Sequence, residues 1–481
     1  MTTVAWGANW ERTETFIALG QALTARGIKS VYIVTRRQYF DLAVKSGIDP
    51  ADILWLHRQE ALRFEPDSGS LSRIRECEEL AGQRINDLML MDRHQFWRPS
   101  EERLRYFAYV FARMEEFFSR HEVSMMLGQP DTTHDLIGCL LLTAHRRRSG
   151  MSGTGYAALF ASRARSTVIG HLWDGMVESE LLPKTPSEKI ENPIRADEVI
   201  RTVMQGGAPR TSFHAKWSAR DLLIARLVRM MHRALVISQD DGEMYNIDGL
   251  FRHLKYPSIP VNKLAMKVFR KQIFTEPDYR KKYVLFALHL APEHTTDVEA
   301  PFHTNVDEFI ASVARSLPAD VELWVKEHPV ALGVRGMRNF RLWKRLPGVR
   351  VVPTETPTQE LIKNALLTVS LSGTVALEAG LQGRPAAIFS DIFLTSFSTV
   401  VRLRHPSEVG GFIEKPPQKP DPEADRALLE WLIDNSVVGS LFDPMTDPTS
   451  MTEGNIGGLA DQIVPRIEAY PKLAFDKRPT S

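Results

Sequence analysis

The chain has 481 residues, more than one hydrophobic core normally serves, so two domains are expected. A formal net charge of +1, 43% hydrophobic and 25% charged residues describe an ordinary globular protein without the basic excess of a nucleic-acid binder. Two cysteines, Cys77 and Cys139, are too few and too far apart for a disulfide framework or a zinc site, which suits a reducing cytoplasm and indicates no metal site.

The amino terminus, Met1–Gly7, lacks the charged region and apolar run of a signal peptide, and no apolar stretch approaches the ~20 residues that cross a bilayer. A cytoplasmic location is expected, with any membrane contact peripheral. Thr3-Val4-Ala5-Trp6 predicts a strand that leads through Gly7-Ala8-Asn9 into a helix with Phe16, Leu19, Ala22 and Leu23 on one face. After Arg26-Gly27 comes the strand Val31–Val34, completing a βαβ unit. Gly7 and Gly20 read as turn and packing glycines, and without a complete G-x-G-x-x-G fingerprint no dinucleotide cofactor is assigned.

A helical region at about 81–120 precedes the strand Ser124–Leu127, whose exit reads Gln129-Pro130-Asp131-Thr132-Thr133-His134-Asp135. Asp131 therefore lies at a strand's carboxyl end, where it is also suited to cap the helix beginning near Thr133. Asp174 closes the strand Thr167–Trp173, and its plainer reading is an Asp-Gly turn. His134 and the run Arg146-Arg147-Arg148 read as helix-face and solvated helix-end residues.

From about 178 to 275 the α/β rhythm gives way to a helical insertion, with loops marked by Pro183, Pro186, Pro193 and Pro209. One helix there carries Trp217, Leu222, Leu223, Leu227, Val228 and Met231 with Arg220, Arg226, Arg229 and Arg233. A second, Asn262–Phe274, intersperses Lys263, Lys267, Arg270 and Lys271 among Leu264, Met266, Val268 and Phe269. Such stripes are either core faces with a solvated basic rim or surfaces that lie on anionic lipid.

The second half opens with the strand Tyr283–Leu288, and its exit Ala291–Asp297 carries Glu293, a helix-start carboxylate or a group for ribose, base or sugar hydroxyls. Val321-Glu322-Leu323-Trp324-Val325 alternates apolar and polar residues and stops at Pro329, which puts Lys326 and His328 at the carboxyl end of a strand. Leu366–Leu371 reads as a buried strand, and Val375-Ala376-Leu377-Glu378-Ala379 as a helix. Ser372 or Thr374 would cap that helix, and Gly373 between them would let an anion approach free backbone N–H groups at the positive end of the dipole. Gly383-Arg384-Pro385 ends the helix before the strand Ala386–Phe389, and another helix is expected at Thr358–Asn364. Pro416–Pro422 reads as a linker, followed by helices Ala424–Ile433 and Ile456–Tyr470.

Three of these runs, Phe286–Glu293, Val325–Pro329 and Ser372–Ala379, together resemble the carboxyl-terminal half of bacterial capsular-polysaccharide synthesis proteins, a group similar to the Kdo and sialic-acid transferases of GT-B type. In the resembling proteins the first exit commonly reads Gln-Pro-Glu-Ala-Ser, from which Ala291 and His294 depart here. The resemblance implies an α/β, GT-B-like fold of two Rossmann-like domains with an interdomain cleft. It implies domains at residues 1–275 (acceptor side) and 276–420 (nucleotide-sugar side), with helices 421–481 packing across both. It implies a metal-independent glycosyltransferase of bacterial surface polysaccharide or glycolipid synthesis, using a nucleotide-activated sugar of CMP-Kdo or CMP-sialic-acid type and a saccharide or lipid-linked acceptor. No cofactor beyond the donor is expected. His328, Ser372 and Thr374 would hold the donor phosphate, within a substrate-binding set that includes Lys326, Gly373, Glu293 and Glu378. Transfer also needs a carboxylate as base or nucleophile, for which Asp131 comes first, Asp174 second and Glu293 third. A sugar-nucleotide 2-epimerase, a polyol-phosphate transferase and a non-catalytic capsule-assembly scaffold are the alternatives within the same fold.

Overall fold

The structure, a computed structural model, describes residues 2–8, 12–92, 99–161, 169–188, 191–205, 258–291, 293–414, 419–441, 444 and 447–470. The expected arginine-bearing helix around Trp217–Arg233 lies outside them. The described chain forms two compact units, one from residues up to 192 and from 434 onward, the other from 193–205 and 258–433.

The first unit is built on β1 (Thr3–Gly7), β2 (Lys29–Val34), β3 (Ile53–Trp55), β4 (Val123–Gly128), β5 (Tyr156–Ala161), β6 (Ile169–Asp174) and β13 (Val437–Val438), in the order β13-β6-β5-β4-β1-β2-β3. Pairing is parallel from β3 to β5, whereas β6 runs antiparallel to β5 and β13 antiparallel to β6. Strand order reverses between β1 and β4, so their carboxyl ends form the crevice where open α/β sheets bind ligands. The helix Thr13–Thr24 covers one face by turning Phe16, Ile17, Leu19 and Leu23 into a core with Trp6 and Tyr32. A Cβ at Gly20 would lie 2.2 Å from the Tyr32 hydroxyl, so this glycine serves close helix–strand packing. The helical region expected at 81–120 is broken, because Gly82 at φ +67 ends the helix Ser68–Ala81 before Ile85–Met91 and Ser100–His121 follow.

Seventeen residues of the carboxyl-terminal segment, Glu453–Ala469, form a helix that sends Leu459, Ala460, Ile463 and Ile467 into this same core. That helix belongs to the first unit.

The second unit carries β7 (Lys282–Ala287), β8 (Val321–Lys326), β9 (Val349–Val352), β10 (Leu367–Val369), β11 (Ala386–Ile388) and β12 (Val400–Arg402) in the order β12-β11-β10-β7-β8-β9. All five pairings are parallel, and the reversal falls between β7 and β10. The central strands are buried on both faces, as a sheet covered by helices on each side requires. Tyr283 stacks on Trp324 across β7 and β8 with ring centroids 3.7 Å apart. The helices Ser258–Val268 and Arg270–Ile273 place Met266 and Ile273 in this unit's core, so residues 258–275 go with the second unit and not the first. The helix Pro422–Asp434 is tied to it as well, the Asp425 carboxylate accepting the Ser398 N–H at 2.6 Å and its hydroxyl at 2.7 Å.

Candidate functional site

At the β7/β10 reversal the exits of three strands are joined by one hydrogen-bonded frame. His289, two residues beyond β7, is buried, and its Nε2 accepts the Ser372 N–H at 3.4 Å and lies 3.2 Å from the Ser370 hydroxyl. The Ser370 oxygen already accepts the Gly373 N–H at 2.9 Å, so its own proton points to His289. Nε2 is therefore an acceptor twice over, which puts the ring proton of a neutral His289 on Nδ1. From β8, Arg335 donates to the His289 carbonyl at 2.9 Å and to the Glu327 carboxylate at 2.6 Å, and that carboxylate also accepts the His328 N–H at 2.7 Å. Burial pushes the Glu327 carboxyl up, opposed by Arg335.

His328 sits where the sequence puts it, half-buried immediately after β8. Burial, then the positive charges of Lys326 and Arg335, hold its imidazole below the ordinary value. The buried Lys326 ammonium donates to the Thr354 carbonyl at 2.9 Å, and burial lowers its pKa too. Glu378 is buried and accepts a hydrogen bond from the Gln359 side chain, which links the helix Thr374–Leu381 to Thr358–Asn364.

Two expectations at this helix start are corrected, and Gly373 gains a packing role. The cap position is Gly373, with no side-chain cap bond, so neither Ser372 nor Thr374 is the N-cap. Ser372 is fully buried and its hydroxyl donates to the Thr295 carbonyl at 2.6 Å, tying the β10 exit to the β7 exit. Gly373 is required by packing, since a Cβ there would lie 2.8 Å from both His289 Nε2 and Ser370 Oγ. The groups left at this end are the half-buried Thr374 hydroxyl and the N–H groups of Thr374 and Val375, since the Ala376 N–H already donates to the Gly373 carbonyl at 3.1 Å.

In the first unit the helix Thr133–Arg148 is capped by Thr132, so Asp131 is one residue too early to be its N-cap. Asp131 is a half-buried loop residue whose N–H donates to the Gln129 carbonyl at 2.7 Å. Asp174 is committed elsewhere: it accepts the Thr154 N–H at 2.9 Å and the Tyr470 hydroxyl at 2.9 Å. Glu293 caps the short helix His294–Asp297, accepting the Thr295 hydroxyl at 3.0 Å, while its own N–H donates to the Thr296 hydroxyl at 3.2 Å. The helix-start reading of Glu293 thus describes it.

Sequence reasoning missed the frame itself. His289 stands inside the first motif, Glu327 inside the second and Arg335 six residues beyond it, but nothing in a one-dimensional pattern shows that they meet. It also missed Asp135, a buried carboxylate at the β1/β4 reversal that accepts the Thr132 hydroxyl at 2.6 Å and the Tyr156 hydroxyl at 2.8 Å and lies 3.1 Å from His134 Nε2. Among the described residues no group of three or more His, Cys, Asp or Glu is arranged to hold a metal ion, and no helix is long and apolar enough to cross a membrane.

Fold and site define the class: two doubly wound α/β units, one of which carries an anion-suited helix start at its switch point. Residues 188–394 match the family described as capsule polysaccharide biosynthesis protein. The matched segment contains all three motifs of the resemblance. Among solved structures, the beta Kdo 2,7 transferase of Thermosulfurimonas dismutans KpsC is 12% identical, over 74% of this chain and 89% of that one, with a TM-score of 0.33. The beta Kdo 2,4 transferase of the same KpsC is 13% identical over 64% and 79%, with a TM-score of 0.28. A UDP-GlcNAc 2-epimerase from Neisseria meningitidis is 14% identical over 97% and 99%, with a TM-score of 0.22. At these scores the likenesses do not decide between transferase and epimerase. No curated protein matches the chain.

Proposed function

We propose that the chain is a glycosyltransferase of capsule synthesis that takes a nucleotide-activated sugar, with a CMP-activated ulosonic acid as the leading donor. The observation that carries the reading is the helix start at the β7/β10 switch point, lying within the family-matched segment and framed by His289, Ser370 and Arg335. The donor phosphate would lie at the Thr374 hydroxyl and first-turn N–H groups, with His328 and Lys326 supplying positive charge. As the bond from the anomeric carbon to the phosphate oxygen breaks, its electron pair stays on the leaving nucleotide. Donors held fixed by a buried frame stabilise that charge without reorganising. The acceptor hydroxyl forms the new bond at the anomeric carbon and gives its proton to a carboxylate, the role assigned to Asp131.

Burial and the positive charges of Lys326 and Arg335 disfavour the charged form of His328 before the donor arrives. The negative charge of the approaching donor phosphodiester offsets the repulsion from Lys326 and Arg335, which favours protonation of the imidazole on binding.

A thermal-shift panel of CMP, CDP, UDP and GDP tests the donor assignment. A selective rise with CMP is expected. A CDP-selective rise would support a polyol-phosphate transferase, a UDP-selective rise an epimerase, and no rise with any nucleotide a scaffold. His328→Ala should lower turnover about 100-fold or more, the order lost with one charge-stabilising donor, at nearly unchanged melting temperature.

A further inference from the structure

The helix Ser258–Val268 buries Met266 and turns the opposite face outward: Val261, Leu264 and Val268 are 65%, 63% and 65% exposed. Spaced at i, i+3 and i+7, these three form one apolar stripe, extended by the exposed Phe269. Lys263, Lys267 and Lys271 are exposed beside it. The helix Met337–Trp343 packs alongside, fixed by the Asn262 amide donating to the Gly333 carbonyl at 2.9 Å and by Lys344 Nζ donating to the Gln272 carbonyl at 2.7 Å. It adds exposed Arg338, Arg341, Leu342 and Arg345, and exposed Val334 precedes it.

Residues 258–274 and 333–346 contain no Asp or Glu, although the whole chain has a formal net charge of only +1. Arg270 is paired with Glu276 and Glu355, whereas none of Lys263, Lys267, Lys271, Arg338, Arg341 and Arg345 makes an ion pair among the described residues. Both the charge and the apolar area are thus gathered on one face of the second unit. A soluble polyanion would use the cations and leave the aliphatic stripe in water. An anionic bilayer uses both, because aliphatic side chains enter the headgroup boundary while lysines and arginines meet lipid phosphates.

We propose that this face docks the protein on an anionic lipid membrane. The proposal is independent of the transferase reading and is tested by binding alone. The full chain is sedimented with vesicles of phosphatidylglycerol and phosphatidylcholine, and with phosphatidylcholine alone. Binding only to the anionic vesicles is expected, and it should weaken as salt screens the lysines. Joint Lys263→Gln, Lys267→Gln and Lys271→Gln should weaken binding roughly 100-fold, taking each near-surface lysine at its usual contribution. Leu264→Asp with Val268→Asp should also release the protein, with an unchanged melting temperature because both positions are exposed. No vesicle binding, equal binding to both vesicles, or parent-like binding by either variant overturns the proposal. So does loss with the lysine variant alone, which would assign the face to a soluble polyanion.

Discussion

Arg466 offers the sharpest test of how the first unit is held together. Its guanidinium is fully buried, and the Glu188 carboxylate facing it is 1% exposed, with contacts of 3.0 and 2.9 Å in the bidentate arrangement that suits arginine. The same side chain donates to the carbonyls of Leu182, Asn435 and Ser436 at 3.2, 2.7 and 2.9 Å. Residues 182–188 lie where the chain is about to leave the first unit, and 435–436 where it returns, so one arginine ties down both segments. Arg466→Ala would leave a buried carboxylate without a cation and three carbonyls without their donor. Breaking such a pair from one side costs about 3–5 kcal/mol. In a unit of 150–250 residues each kcal/mol moves the melting temperature by about 2–4 °C, so a fall of roughly 6–20 °C is expected by calorimetry. Arg466→Lys should recover only part, since an ammonium has three donors and no planar fork. A fall below about 2 °C for Arg466→Ala would refute the reasoning, because it would mean that water reaches Glu188.

Four further outcomes follow from the site. Gly373→Ala should lower stability by about 1–3 kcal/mol, the usual cost of overpacking, and weaken nucleotide binding, because its Cβ would meet His289 and Ser370 at 2.8 Å; an unchanged melting temperature and nucleotide affinity would contradict this. Transfer should survive EDTA if, as proposed, positive charge and a helix start hold the phosphate, and loss restored by magnesium or manganese would contradict the mechanism. His328, held low in the folded state, takes up its proton later than in the unfolded chain, so its contribution to stability declines as pH falls below about 6.5. Conversely, nucleotide binding near neutral pH should take up a proton through His328, read by calorimetry in buffers of different ionisation enthalpy; equal uptake in His328→Gln would overturn that assignment.

Much of the fold is legible because strands buried on both faces are short apolar runs and their turns are marked by Gly and Pro. β1, β2, β4, β7, β8 and β11 announce themselves this way. β3, Ile53–Trp55, is only three residues long, and β5, Tyr156–Ala161, is an Ala- and Leu-containing run with no alternation, so neither shows a strand period. The division into units is harder to read, since it depends on which core a helix enters. The apolar spacings around Met266 and Leu459 look alike in sequence whichever sheet they cover, yet Met266 enters the second unit's core and Leu459 the first's. At the site, the strand-end positions of His328 and Asp131 follow from pattern, whereas the role of Gly373 does not. Its neighbour His289 is 84 positions away in sequence, and only the β7/β10 pairing brings them together.

The two switch points also differ in what fills them. In the second unit the buried frame reaches the N-cap Gly373 and stops there, before the half-buried Thr374. In the first unit a carboxylate occupies the reversal: a Cβ at Gly7 or Gly128 would lie 2.4 or 2.1 Å from Asp135 Oδ1. Those glycines, at the ends of β1 and β4, are therefore small because Asp135 needs the room, which extends the turn reading of Gly7. Asp135 in turn is held by Thr132 and Tyr156, and burial with the Asp135 charge raises the Tyr156 phenol well above its ordinary value. A carboxylate so enclosed is suited to positioning the loop that begins at Gly128. Asp131 lies on that loop one residue before Thr132, the N-cap of the helix that carries Asp135.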